Sequence, residues 1–151
     1  MPASHKFLDG DPVSAIDSLL RINRHKLDER RRQFAELERL AERLRGEGLR
    51  LEEELTREQQ VAARSFEAGT AYAPYARELI ERRRKLAASL ADVEQQTVAA
   101  REVLAEAFRE VKRYELTAAS RAKRERAVAD RRQRIVQDEL ALQIHRRRTA
   151  G

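Results

Sequence analysis

The chain has 151 residues, 38% of them charged and only 5% aromatic, with five Gly, three Pro, no Trp and no Cys. Such a composition cannot fill the thick core of a sandwich or an α/β domain, and the dominance of Ala, Leu, Glu and Arg points to long helices or coiled coil. The formal net charge of +6 sits at one end: residues 121–148 hold ten Lys/Arg against four acids, and the remainder balances at 22 basic and 22 acidic residues.

Residues 1–11 show no apolar run of signal-peptide length and are expected to be a flexible N-terminus. Asp11-Pro12 then opens a first helix, because Asp can cap free N–H groups and Pro at the first helical position forfeits no hydrogen bond. From Val13 a heptad runs without a phase break. One track is Val13, Leu20, Leu27, Phe34, Ala41, Gly48, Leu55 and Ala62; the other is Ile16, Asn23, Arg30, Leu37, Leu44, Leu51 and Glu58. Eleven of these fifteen are apolar, the 3.5-residue period of a coiled-coil seam. Gly46 and Gly48 weaken the helix and mark either a loose layer or a bend. The helix is expected to span 12–66, with Gly69 offering a left-handed end.

A turn over 67–73 and a second helix over 74–148, opened by Pro74, complete the expected layout. The second helix carries the tracks Tyr72, Leu79, Leu86, Val93, Ala100, Ala107, Tyr114, Arg121, Val128, Ile135, Leu142 and Ala76, Arg83, Leu90, Thr97, Leu104, Val111, Ala118, Glu125, Arg132, Glu139. A short connection makes the helices antiparallel neighbours. The expected fold is therefore all-α: one domain, an antiparallel two-helix coiled coil or long αα-hairpin. A turn centred between Thr70 and Ala71 pairs positions that sum to 141, giving the layers Leu37/Leu104 and Gly48/Val93 and an ion pair Glu58/Arg83.

In that register Pro12 lies opposite residue 129, and 130–148 overhang as a tip about 28 Å long. A lone helix of that length is marginal in water. Yet the tip keeps Ile135, Val136, Leu140, Leu142 and Ile144, with Arg146, Arg147 and Arg148 at its end. Self-association or a fold-back of residues 1–11 could cover it. So could nucleic acid, which the charge attracts but Asp138-Glu139 and the lack of aromatics disfavour. An anionic membrane suits a basic amphipathic helix, though no Trp or Phe anchors this one. A socket in a partner protein satisfies both the charges and the apolar stripe.

Nothing points to catalysis. His5, His25 and His145 are isolated, with no metal-ligand spacing, no Gly-rich phosphate loop and no constellation of nucleophile and base. No cofactor or metal is implied, and with no cysteine there is neither disulfide nor thiolate chemistry. No run approaches the length of a membrane span, so a cytoplasmic protein is expected.

Four stretches together carry a resemblance: DSLLRINRHKLDERRRQFAELE at 17–38, YAPYARELIERRRKL at 72–86, AREVLAEAFREVKRYE at 100–115 and QDELALQIHRRR at 137–148. In order and spacing they resemble the FliJ family of flagellar export proteins, over roughly Pro12 to Arg148. The resemblance implies a non-enzymatic stalk of the flagellar type III export apparatus, cytoplasmic and peripheral at the inner membrane. Its expected partners are the hexameric export ATPase, the membrane export-gate protein and the chaperones of export substrates. On that view Ile135, Val136, Leu140, Leu142, Ile144 and Arg146–Arg148 engage the ATPase ring, and the turn-proximal residues Tyr72, Tyr75, Leu79, Arg82 and Arg83 face the gate. A generic coiled-coil adaptor, its basic end on nucleic acid or anionic membrane, is the alternative.

Overall fold

The structure, a computed structural model, describes residues 12–151, with side chains from Ala15 onward. Two helices, α1 (Pro12–Ala62) and α2 (Phe66–Thr149), make up the secondary structure of the described residues, and the fold is all-α. Pro12 is the first residue of α1, where its missing N–H costs nothing. The Asp11 cap, the segment 1–11 and the Val13 side chain lie outside what is described.

The turn falls earlier than expected. α1 stops at Ala62 rather than residue 66, and only residues 63–65 connect it to α2, in place of a turn over 67–73. The reason is a better cap. Ser65 Oγ accepts a hydrogen bond from the Ala68 N–H at 3.1 Å, and the Ser65 carbonyl accepts one from the Gly69 N–H at 3.0 Å. A hydroxyl at the N-cap satisfies one of the free donors of the first turn, and Glu67 adds an acid at the positive end of the helix. Gly69 is therefore an interior residue of α2 and not the end of α1. Pro74 lies within α2 and not at its start. An interior proline has no N–H for the carbonyl four residues before it, a cost of about 3 kcal/mol, which the cap and the extra helical turns before Pro74 help offset.

The chain forms two compact units. One is His25–Phe108, a helical hairpin around the turn. Leu27, Ala41, Ala76, Leu79 and Val93 are buried in it, while Phe34, Leu37, Leu44, Leu51, Leu86, Leu90 and Leu104 are half-buried. All lie on the expected seam tracks. Of the charged members of those tracks, Arg30 and Arg83 are exposed and Glu58 is half-buried. Along the edges, Arg45 Nη2 meets Glu94 Oε1 at 3.0 Å, and the Arg101 guanidinium lies 5.6 Å from the centre of the Phe34 ring.

The second unit joins the chain up to Arg24 with Arg109–Gly151. Among its described residues Leu20, Asn23 and Val111 are buried, and Ile16, Tyr114, Ala118 and Arg121 are half-buried. Asn23 fits an apolar seam because its Nδ2 donates to the Leu19 carbonyl at 2.8 Å, leaving no orphaned donor. Glu115 takes Lys112 Nζ at 3.0 Å and Arg24 Nη2 at 3.5 Å, and the lysine contact first, then the arginine, hold its carboxyl below the ordinary carboxylate range.

In the hairpin unit the register differs from the one expected. The paired residues Glu54 and Tyr75, Gly48 and Leu86, and Arg45 and Glu94 sum to 129, 134 and 139, all below 141. Gly48 faces Leu86 instead of Val93, a slide of one heptad. Glu58 and Arg83 form no ion pair among the described residues. A slide of seven residues keeps both seam tracks facing inward, so the apolar pattern alone cannot reveal it.

α1 runs unbroken through Gly46 and Gly48. A Cβ at Gly46 would meet nothing within 4 Å, and one at Gly48 would lie 3.6 Å from Leu86 Cδ2, an ordinary contact. Since glycine costs a helix interior roughly 0.5–1 kcal/mol relative to alanine, Gly46→Ala and Gly48→Ala are each expected to raise unfolding free energy by about that amount. Urea denaturation followed by circular dichroism measures it, and a loss at either position would show that the glycine is structurally required.

Candidate functional site

Two surfaces hold the residues that the sequence singled out. The first is the end of α2. From Lys123 to Gly151 every residue is exposed, a stretch of about 40 Å where helical. Exposure begins seven residues before the expected Asp130, in step with the earlier turn, which leaves more of α2 without a counterpart in α1. Ile135, Val136, Leu140, Leu142 and Ile144 are each 53–58% exposed, and Val128 is 50%. These are large apolar side chains on a stretch of helix that is bare on every side, and a cluster of them marks an interaction surface rather than the usual scatter of single residues.

Arg146, Arg147 and Arg148 occupy the last turn of α2, where cations suit the negative end of the helix. Thr149 Oγ1 donates to the His145 and Arg146 carbonyls at 3.0 and 3.1 Å, and the Ala150 N–H donates to Arg146 O at 3.1 Å, so the final carbonyls are partly satisfied within the chain. Among the described residues, no charged side chain from Glu125 to Arg148 belongs to an ion pair. The segment thus offers both an apolar stripe and uncommitted charge.

The second surface lies beside the turn. Tyr72 and Tyr75 are half-buried, and Arg82 and Arg83 are exposed. Tyr75 Oη donates a hydrogen bond to Glu54 Oε1. That bond, with burial and the charge of Glu54, raises the phenol's pKa above its ordinary value. Leu79 stands apart: at 3% exposure it is a core residue that supports this surface from beneath and presents nothing to a partner.

Sequence reasoning missed Phe66. It is the first residue of α2 and, at 88%, the most exposed large apolar side chain described. Reading it as the last residue of α1 hid it; the hydroxyl–apolar–acid order Ser65-Phe66-Glu67 was the signal of a helix start. A shallow groove lined by Leu44, Gly48, Leu49, Leu86 and Leu90 also lies on the hairpin unit.

Among the described residues, no group of three or more His, Cys, Asp or Glu is placed to hold a metal ion. No helix there is long and apolar enough to cross a membrane.

A family profile described as "Flagellar FliJ protein" matches residues 13–150, nearly the whole chain, and the chain belongs to that family. Membership makes it a flagellar export-related protein, in a family that is non-enzymatic. No curated protein and no solved structure matches the chain at a significant level.

The two surfaces differ in what they owe to folding. Leu79→Ala is expected to cost about 2–4 kcal/mol of stability, whereas Leu142→Ala should change it by less than about 0.5 kcal/mol. Thermal unfolding of dilute protein compares them, and equal losses would mean that Leu142 is covered in the free chain.

Proposed function

We propose that the chain is a non-enzymatic stalk and adaptor of the flagellar export apparatus, whose exposed C-terminal segment docks into the hexameric export ATPase. The observation that carries this reading is the exposed set Ile135, Val136, Leu140, Leu142 and Ile144, ending in Arg146–Arg148, on a stretch of helix where every residue is exposed. In a socket the five apolar side chains meet an apolar collar and the arginines meet carboxylates. A stalk of this kind forms and breaks no bond. It acts by fitting one arrangement of the ring better than another, and only such differential affinity can shift assembly or turnover.

The turn-proximal surface is the proposed contact with the membrane export-gate protein, through Tyr72, Tyr75, Arg82 and Arg83, with exposed Phe66 added and Leu79 acting only as support. A chain that bridges ATPase and gate works in the cytoplasm at the inner-membrane export machinery, and the same position brings it to substrate chaperones. No metal or cofactor enters this reading.

Truncation after Arg134 removes the whole stripe but leaves every buried residue in place. The truncated chain should keep its helical circular dichroism per residue and lose stimulation of hexamerisation and ATP hydrolysis by the cognate export ATPase. Full stimulation by the truncated protein would refute the docking role. Salt-sensitive binding of the intact chain to duplex DNA or anionic vesicles, lost on the same truncation and without any effect on the ATPase, would favour the generic adaptor instead.

A further inference from the structure

The exposed segment carries a second pattern, one of sign. Continuing the α2 seam past Ala122, one track remains apolar as Val128, Ile135 and Leu142. The other becomes Glu125, Arg132, Glu139 and Arg146, charges that alternate once per heptad, flanked by Arg131 and Asp138. All are exposed, and among the described residues none is committed to an ion pair. A solvated helix has no need for charge that alternates in register with an apolar track. A helix that will meet its own reverse does.

We propose that this segment pairs antiparallel with the same segment of a second copy of the chain, about a two-fold axis near Ile135. In that arrangement Val128 lies level with Leu142 of the second copy and Ile135 with its own equivalent. Glu125 lies within one residue of level with Arg146, Arg132 with Glu139 and Arg131 with Asp138, a rise of about 1.5 Å, so every one of these pairings across the axis is of opposite sign. The apolar track centres the axis on Ile135, and the charged track and the flanking edge each centre it within about half a residue of that position. A parallel pair in register sets Glu125 on Glu125 and Arg132 on Arg132, like against like, and is rejected by the same charges.

The second copy is favoured over other occupants because the complementarity is internal to the segment. An acidic helix would answer its net charge but not its Glu125 and Glu139. That net charge, nine Lys/Arg against four acids over 123–149, repels the copies beyond the paired residues. Salt screens it over about 8 Å at physiological ionic strength. A short, partly charged interface opposed by net repulsion is weak and reversible, which suits a cover that a tighter partner displaces. Leu140 and Ile144 lie outside the paired face. The inference does not depend on the ATPase reading.

The test uses the full chain. Sedimentation equilibrium between about 10 and 200 μM should show a monomer–dimer exchange, as befits an interface at the small end of the specific range. Arg131→Asp with Arg132→Glu should weaken it at least tenfold, and adding Asp138→Arg with Glu139→Arg to the same chain should restore it. Because the chain lacks cysteine, single Val128→Cys and Leu142→Cys variants can be mixed under oxidation, and the disulfide should link one variant to the other. Circular dichroism checks that each variant keeps its helix. A monomer throughout the range, charge reversal without effect, or cross-linking of Val128→Cys to itself in preference to Leu142→Cys would each overturn the proposal.

Discussion

A heptad seam persists only where both helices have something to put into it, and this constraint governs the molecule. The α-helix satisfies its own backbone along its length, so α2 can continue after its packing stops, but a lone helix is marginal without a packed face. In the unit that holds the end of α2, half-burial ends at Ala122 and every later residue is exposed. The last stretch is thus held mainly by local hydrogen bonds and helix propensity. Even the seam is thin: no side chain in the described residues is fully buried. Two helices cannot surround a residue, so each buried Leu contributes less than the roughly 1.5–3 kcal/mol of complete burial.

Charge follows the same division. Beside the seam it is committed locally, in pairs such as Arg45 with Glu42 and Glu94, and Glu115 with Lys112 and Arg24. Exposed pairs of this sort contribute little stability, yet the two that cross between helices, Arg45 with Glu94 and Arg24 with Glu115, discriminate between registers that the apolar tracks cannot tell apart. Beyond the seam the charges stand uncommitted among the described residues. A surface of that kind gains little by folding and has its contacts still to make.

The two seam tracks were legible from Ile16 to Ala118 because a 3.5-residue period is a property of single positions. The turn was not. Gly69 and Pro74 are strong punctuation, and they outweighed the weaker hydroxyl signal at Ser65, although it is Ser65 that caps α2. From that one misplacement followed the slide of Gly48 from Val93 to Leu86, the loss of the Glu58/Arg83 pair and the oversight of Phe66. Heptad repetition conceals such an error, since each seam residue finds an equally apolar neighbour one repeat away. At the candidate sites, the exposure of Ile135 through Ile144 was foreseen from the lack of a counterpart in α1. Leu79, proposed as a contact, belongs to the core, as its seam position already indicated.

Family membership and the bare stripe lead to the same physical account: a flagellar export-related chain presents an apolar, arginine-ended segment that folding leaves uncovered. The most direct measurement is amide hydrogen exchange on dilute protein, alone and with the cognate export ATPase. The account predicts fast exchange from Lys123 to Thr149 in the free chain, slower exchange around Leu79, Val93 and Val111, and new protection centred on Ile135–Ile144 when the ATPase is present. Strong protection of that segment in the dilute free chain, or an ATPase that protects other residues and leaves it unchanged, would contradict the account.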